Sequence, residues 1–321
     1  MSTDTAKEEH LTLCTNDLNN LHITQVDICA CCGKEGSDLN ICNKCQMVKY
    51  CNVACKKKHR TKHKKKCERR VAELHDERLF KQPPPREDCP ICMLPFPSLV
   101  TGSKYYTCCG KFLCGGCIFA PVYDNRGNII GKGRDTCPFC RTPAPCSDQE
   151  MIERIKKRID AGDAEAIFSL GCCYSKGSRG LQQNHAKALE LNHRAGELGC
   201  TASYNNIGDA YHYGRGVESD EKKADHYYGL SAMGGDAAAR HNLGCSEYEK
   251  SNWGRAIKHY MISAGGGYND SVKSIQLLYK AGHATKDDYT KALRAYQKYL
   301  DEIRSEQRDK AAAANERFKY Y

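Results

Sequence analysis

The stretch CPICMLPFPSLVTGSKYYTCCGKFLCGGC (89–117), closed by CPFCR (137–141), decides how this chain is read. Two C-x-x-C hooks flank a cysteine-rich middle, and eight thiols fall into the pairs Cys89/Cys92, Cys108/Cys109, Cys114/Cys117 and Cys137/Cys140. Four thiolates close a tetrahedral Zn²⁺ site and leave no open position for water or substrate, so eight make two structural sites. A segment this short has almost no aliphatic core, and metal binding supplies folding free energy that a small apolar interior cannot. Spacing alone leaves open whether the pairs bind in chain order or interleaved.

Upstream lies a second such stretch, C-x2-C-x9-C-x2-C-x5-C-x3-C-x7-H-x3-C, made by Cys29, Cys32, Cys42, Cys45, Cys51, Cys55, His63 and Cys67, with Cys31 to spare. Seven sulfurs and one imidazole again make two tetrahedral sets. Cys51/Cys55 and His63/Cys67 are each four residues apart, which predicts a short helical pair carrying ligands on one side. The run KKKHRTKHKKKCERR (56–70) holds ten Lys or Arg against one Glu. Such a run is a solvated face, a nuclear address or a phosphate contact. No aromatics interleave it to stack bases, so the expectation is weak or no nucleic-acid binding.

The chain has 321 residues, 22 cysteines and a formal net charge of +10. Eighteen of the cysteines precede residue 150, at metal-like spacing and in company with histidine. The opening MSTDTAKEEH has no apolar leader run, and no stretch of 18 apolar residues occurs. The reading is therefore a thiol-rich metal protein of the cytoplasm or nucleus, away from membranes, rather than a disulfide-bonded secreted one. Residues 1–26 read as a flexible segment and 27–70 as the first metal finger. VAELHDERLF (71–80) reads as a short helix before a proline-rich linker reaching residue 88, and YDNRGNIIGKG (123–133) as a hairpin inside the 89–141 module. Cys146 reads as a spare thiol.

From about residue 150 to 321 the composition changes. AIFSLGCCYSKGSRG (166–180), ASYNNIGDAYHYGRGV (202–217) and AARHNLGCSEYEKSNWGRA (238–256) repeat one pattern, with Gly171, Gly208 and Gly244 spaced by 37 and 36 residues. Each unit reads as helix, turn, helix, with the glycines letting helices approach and Leu170, Ile207 and Leu243 filling the layers. Three units are counted, and a degraded fourth over roughly 271–299. Tyr289, Leu293, Tyr296, Leu300 and Ile303 make one stripe of a capping helix, and RSEQRDKAAAANERFKYY (304–321) extends it as a frayed helix. The repeat histidines read as surface or packing residues. No phosphate-binding loop, H-E-x-x-H or G-x-S-x-G string appears. The fold class is thus small zinc-stabilised α+β modules followed by an all-α solenoid of helix-turn-helix repeats.

Three resemblances sharpen this reading. Residues 29–67 resemble a MYND-type zinc finger, which implies Cys29, Cys32, Cys51 and Cys55 on one ion and Cys42, Cys45, His63 and Cys67 on the other. Lys56 and Arg60 stand where that family often has glutamine and tryptophan. Residues 89–140 resemble a RING-type finger of C4C4 kind, which implies Cys89, Cys92, Cys114 and Cys117 on one ion and Cys108, Cys109, Cys137 and Cys140 on the other. Lys111 stands where that family usually has a histidine, and the adjacent Cys108 and Cys109 fill both places if their side chains turn toward one ion. IGDAYHYGRGVESDEKKADHYY (207–228) resembles Sel1-like repeats, placed over about 163–299. Four Zn²⁺ ions are expected, two per module.

The RING resemblance further implies a patch that receives an E2 ubiquitin-conjugating enzyme, at Ile91, Ile118, Phe119 and Pro138, with Arg141 bridging E2 and ubiquitin. Two function classes follow. One is an E3 ubiquitin ligase with no nucleophile of its own, orienting an E2–ubiquitin thioester while the repeats recruit a protein substrate. The alternative is a non-catalytic zinc-binding scaffold or adaptor that joins proteins. On either reading the repeats offer contact area through tyrosines such as Tyr211, Tyr213, Tyr227 and Tyr228, some of which must be core.

Overall fold

The computed structural model describes residues 27–98, 102–124, 128, 130 and 136–321. The flexible segment expected over 1–26 and most of the hairpin expected over 123–133 lie outside the described residues. Two compact units divide the chain, Met1–Glu77 and Arg78–Tyr321.

In the first unit, β1 (Asn40–Ile41) pairs antiparallel with β2 (Lys49–Tyr50). Then comes α1 (Val53–Leu79), one helix of 27 residues where the spacing predicts a short pair and a separate helix over 71–80. The cause of the difference is composition. No Gly or Pro interrupts 53–79, the run is dominated by Lys, Arg, Glu and Ala, and Pro83 is the first breaker. Cys29, Cys42, Cys45, Tyr50 and Cys67 form the buried centre, with Leu39 and Val48 against them. Sulfur takes the place that aliphatic carbon has in larger domains.

The second unit opens with the hairpin β3 (Ser103–Tyr106) and β4 (Lys111–Cys114), Ser103 opposite Cys114, followed by α2 (Gly115–Phe119) and α3 (Asp148–Asp160). Four helix pairs come next: α4 (Ala164–Lys176) with α5 (His185–Glu197), α6 (Thr201–Tyr213) with α7 (Glu221–Met233), α8 (Ala237–Glu249) with α9 (Trp253–Gly265), and α10 (Asn269–Lys280) with α11 (Lys286–Ile303). Polar side chains start several of these helices. Asp163, Asn184, Asp220 and Asp236 each accept a backbone N–H from the first turn, a cap that stabilises by about 1 kcal/mol. The fourth pair, expected as degraded, has both helices at full length.

Leu170, Ile207 and Leu243 are buried, each contributing roughly 1.5–3 kcal/mol of apolar burial. Gly208 and Gly244 have a specific task. A Cβ on Gly208 would lie 2.5 Å from ring carbons of Tyr228, and one on Gly244 would lie 2.5 Å from ring carbons of Tyr260. The missing side chain is filled by a tyrosine of the paired helix, whose hydroxyl reaches the residue after the glycine: Asp209 Oδ1 at 2.8 Å from Tyr228, Cys245 Sγ at 3.5 Å from Tyr260. Tyr228 is therefore core rather than contact surface, while Tyr213 is 60% exposed.

At the end of the stack the buried stripe of α11 is Ala292, Tyr299 and Ile303, with Tyr296 half-buried; Leu293 is exposed. A reading that selects the largest apolar residues turns the helix by about one position. The tail does not extend α11 either. Ser305 breaks the chain direction and caps a new helix, α12 (Glu306–Ala314), which packs on α2. Phe318 and Tyr320 beyond it are buried. Among the described residues, no helix is long and apolar enough to cross a membrane.

Candidate metal centres

Four of the five C-x-x-C pairs fold alike, while the fifth, Cys114 and Cys117, opens α2. The N–H of the residue after the second cysteine donates to the carbonyl of the first, 2.9 Å each for Gly33 to Cys29, Gln46 to Cys42, Met93 to Cys89 and Arg141 to Cys137. That residue is left-handed every time, with φ of 73°, 55°, 56° and 63°. Glycine takes this conformation freely; Gln46, Met93 and Arg141 hold it at a cost of roughly 1–2 kcal/mol each. The turn also directs backbone N–H groups at sulfur. The N–H of Cys51, which follows β2 and lies outside the turn, and then that of Cys32 within it are the main reason the Cys29 thiol is lowered to about 6, which favours the thiolate that binds metal.

The hooks assemble four sets of ligands. Cys29, Cys32, Cys51 and Cys55 form one, Cys42, Cys45, His63 and Cys67 the second, Cys89, Cys92, Cys114 and Cys117 the third, and Cys108, Cys109, Cys137 and Cys140 the fourth; within each set all ligand atoms lie within 4.8 Å of one another. A tetrahedron with metal–sulfur bonds of about 2.3 Å has edges of about 3.8 Å. The sulfurs stand 3.7 Å apart for Cys32 and Cys51, 4.0 Å for Cys42 and Cys67, 3.7 Å for Cys92 and Cys114, and 3.9 Å for Cys109 and Cys137. These are edge lengths of a zinc site and nearly twice the sulfur–sulfur bond of a disulfide, about 2.05 Å. The sets fit four Zn²⁺ ions, two per module, in the interleaved order.

In the first unit, α1 explains the interleaving. Cys55 in its first turn serves one centre, and His63 and Cys67 further along serve the other, so a single rigid helix ties the two together. His59 stacks on His63 at 5.9 Å, and its Nδ1 is 3.2 Å from the Tyr50 hydroxyl. Cys31 joins no set, nor does Cys146, whose backbone N–H donates to Glu150.

In the second module, Cys108 and Cys109 occupy the turn between β3 and β4, where consecutive side chains need not alternate as they do along a strand. Gly110 closes that turn at φ 67°, its N–H donating to the Tyr106 carbonyl, and the Arg158 guanidinium crosses so close above it that a Cβ would overlap. Arg158 donates to Asp163 at 2.6 Å, and the Tyr105 hydroxyl donates to the same carboxylate at 2.7 Å. Burial alone would push Asp163 up; these two partners outweigh it and hold the carboxyl below its ordinary range. Asp163, which sequence reading passed over, thus caps α4 and fastens β3 to the first repeat. Only its N-cap spacing was visible in advance.

The residues expected to face an E2 divide into two groups. Ile91 is 42% exposed, Pro138 is half-buried beside exposed Phe139, and Arg141 is exposed. Ile118 and Phe119 instead join a cluster with Ala311 and Phe318 of the C-terminal segment, Phe119 being 4% exposed.

The MYND finger family model matches residues 29–67, and the Sel1 repeat family model matches residues 164–200 and 201–236. Among curated proteins, an uncharacterized protein of Neisseria meningitidis serogroup B is 35% identical over 106 residues, 33% of this chain and 22% of that one. An ERAD-associated E3 ubiquitin-protein ligase component of Arabidopsis thaliana is 26% identical over 113 residues, 35% of this chain and 18% of that one. A putative sel1-like repeat-containing protein of Acanthamoeba polyphaga mimivirus is 39% identical over 66 residues, 21% and 12% of the two chains. The chain spans less than a quarter of the length of these relatives. Of solved structures, a Sel1 repeat protein from Oxalobacter formigenes superposes with a TM-score of 0.42 at 27% identity, covering 48% of this chain and 64% of that one. A protective antigen of uropathogenic Escherichia coli with an SLR fold gives 0.41 at 26%, covering 50% and 35%. The chain carries a MYND finger over 29–67 and Sel1 repeats, a protein-interaction module, over 164–236, with a second cysteine-built metal module between them.

Proposed function

We propose that this chain is a non-catalytic, zinc-stabilised adaptor whose Sel1-repeat unit binds a protein partner. The observation that carries this reading is an aromatic strip across the repeats. Tyr227 of α7 stacks between Tyr211 at 5.6 Å and Tyr204 at 6.2 Å, both from α6, with His193 of α5 and His226 edge-on at 5.4 and 5.2 Å. The three tyrosines are half-buried, so each keeps ring area for a partner while losing little side-chain freedom on contact. The Arabidopsis relative supports the same idea, since a protein described as a component of an E3 ligase is matched over a third of this chain. A thiol-rich metal protein of this kind works in a reducing compartment, cytoplasm or nucleus.

The ligase reading rests on Ile91, Pro138 and Arg141, which remain at the surface. Against it, Ile118 and Phe119, the other half of the expected E2 patch, pack under the chain's own tail.

Two measurements separate the readings. Affinity capture with the full chain should lose its protein partner when Tyr204, Tyr211 and Tyr227 are changed together to serine, with zinc content unchanged at four. Autoubiquitination with a panel of E2 enzymes should give no product. Ubiquitin chains formed by the wild type and abolished by Ile91→Ala would overturn the adaptor reading, and slowed discharge in Arg141→Ala would then assign that residue the bridging role.

A further inference from the structure

Arg308, in the first turn of α12, is 1% exposed. Its Nη1 donates to the Pro95 carbonyl at 2.8 Å and the Ile303 carbonyl at 2.7 Å. Its Nη2 donates to the Leu94 carbonyl at 3.2 Å and lies 3.7 Å from Cys92 Sγ. Among the described residues no carboxylate pairs with it. A guanidinium out of water with only neutral carbonyls around it would be strongly destabilising, because a buried charge needs an opposite one. The candidate is beside it. Cys92 belongs to the set Cys89, Cys92, Cys114 and Cys117, and four thiolates around a divalent ion leave a formal surplus of about two negative charges.

The approach is built into the sequence at a second place. CGGC (114–117) carries Gly115 and Gly116 where α12 and the tail cross. A Cβ on Gly116 would lie 3.0 Å from the Arg308 backbone nitrogen and Cγ, and one on Gly115 would lie 3.3 Å from the Phe318 ring. Any larger residue between these two ligands would push the C-terminal helix, and the cation it delivers, away from the sulfurs.

We propose that Arg308 is the counter-charge of the metal centre formed by Cys89, Cys92, Cys114 and Cys117, and that zinc retention there and docking of α12 on α2 are one coupled equilibrium. The guanidinium neutralises sulfur charge that the metal alone leaves over, which slows ligand release. In return the metal centre gives a buried cation an anionic partner, the only one among the described residues. Arg308 is a positioning residue in this scheme, acting on the metal through Cys92. The proposal is independent of the adaptor reading and of any E2.

The test uses the full-length, zinc-loaded chain and a colorimetric zinc chelator. In Arg308→Met, one of four zinc ions should leave about tenfold faster than in wild type, the scale of an outer-sphere partner, and Arg308→Lys should restore part of the difference. Arg304→Gln, which removes an exposed arginine of the same segment, should release zinc as wild type does. Phe318→Ala removes tail packing beyond α12 while keeping the Arg308 side chain, and separates charge from packing. With cobalt in place of zinc, the sulfur-to-cobalt charge-transfer band should move in Arg308→Met and stay in Phe318→Ala. Equal release rates and equal spectra for Arg308→Met and Phe318→Ala would overturn the proposal, as would four slowly released ions in Arg308→Met.

Discussion

The two metal modules use the same chemistry and differ in what else holds them. Each has two interleaved sets of four ligands, and each builds two C-x-x-C hooks on the same left-handed turn, the second module adding Cys114 and Cys117 from α2. The finger over 29–67 sits in a compact unit whose buried centre is mostly its own ligands. The module over 89–140 belongs to the repeat unit. Tyr105 packs in the core of the first repeat, Thr107 meets Met151 of α3, and α2 lies under α12. A metal site can therefore be the whole reason a segment folds or one of several, and that difference is measurable.

The largest expected effect is metal removal. Exchange mass spectrometry of the full chain should show four zinc ions lost to excess chelator. Amide protection should vanish across 29–67, because little apolar burial remains to replace the metal. Across 164–303 protection should persist, since the helix pairs hold their own cores. The 89–140 module should fall between, loosening around Cys89 and Cys114 and carrying α12 with it, while Tyr105 and Phe112 stay packed. Equal loss of protection in both modules would erase the comparison.

A smaller effect should come from the hooks. Gln46 in the first module and Met93 in the second hold the left-handed position that Gly33 occupies freely. Gln46→Gly removes that cost at some expense in chain entropy and should stabilise the first unit by about 0.5–1 kcal/mol, read as slower zinc loss and a higher melting point. Met93→Gly should produce the same local gain but little change in the melting of the second unit, whose stability is dominated by the repeats. A Gln46→Gly finger that melts earlier would show that its side chain contributes something the backbone argument omits.

How much of this was legible in the sequence follows from range. Hooks, caps and helix pairs are local patterns, so the sixteen ligands and the periodicity of 36 to 37 residues are legible in spacing, whereas their division into four interleaved sets comes only from the family resemblances. The continuity of α1 is hard to read from the ligands, because their spacing suggests a short helical pair while the absence of Gly or Pro from 53 to 79 favours one long helix. The stripe of α11 was displaced because leucine was preferred over Ala292 and Tyr299, which the packing selects. Docking of α12 depends on Arg308 meeting Cys92 from 216 positions away, and no periodicity records such a contact. Glycines at 115 and 116 were its only local trace.

The smallest expected effect concerns α1 itself. Lys57, Lys58, Arg60, Lys62, Lys64, Lys65 and Lys66 are exposed, and among the described residues none is in an ion pair. Lys56 differs in donating to Asn43 Oδ1 at 2.8 Å. Because the ligands His63 and Cys67 point to the buried side, removing charge from the exposed side should leave the metal centres alone. Lys64, Lys65 and Lys66 changed together to glutamine should keep four zinc ions and shift the stability of the first unit by less than about 0.5 kcal/mol, the usual scale for surface substitutions. Any binding of nucleic acid by the wild type should be weak, indifferent to sequence and steeply reduced by salt, and the triple variant should flatten that salt dependence. Between Lys57 and Lys66 no Phe, Tyr, Trp or aliphatic side chain stands among these cations, and the two imidazoles are engaged, His63 as a buried metal ligand and half-buried His59 stacked on it, so this face offers charge rather than a platform for a base. Binding that discriminates between sequences, or that survives high salt, would place recognition elsewhere on the molecule and return α1 to the single task of holding two metal centres together.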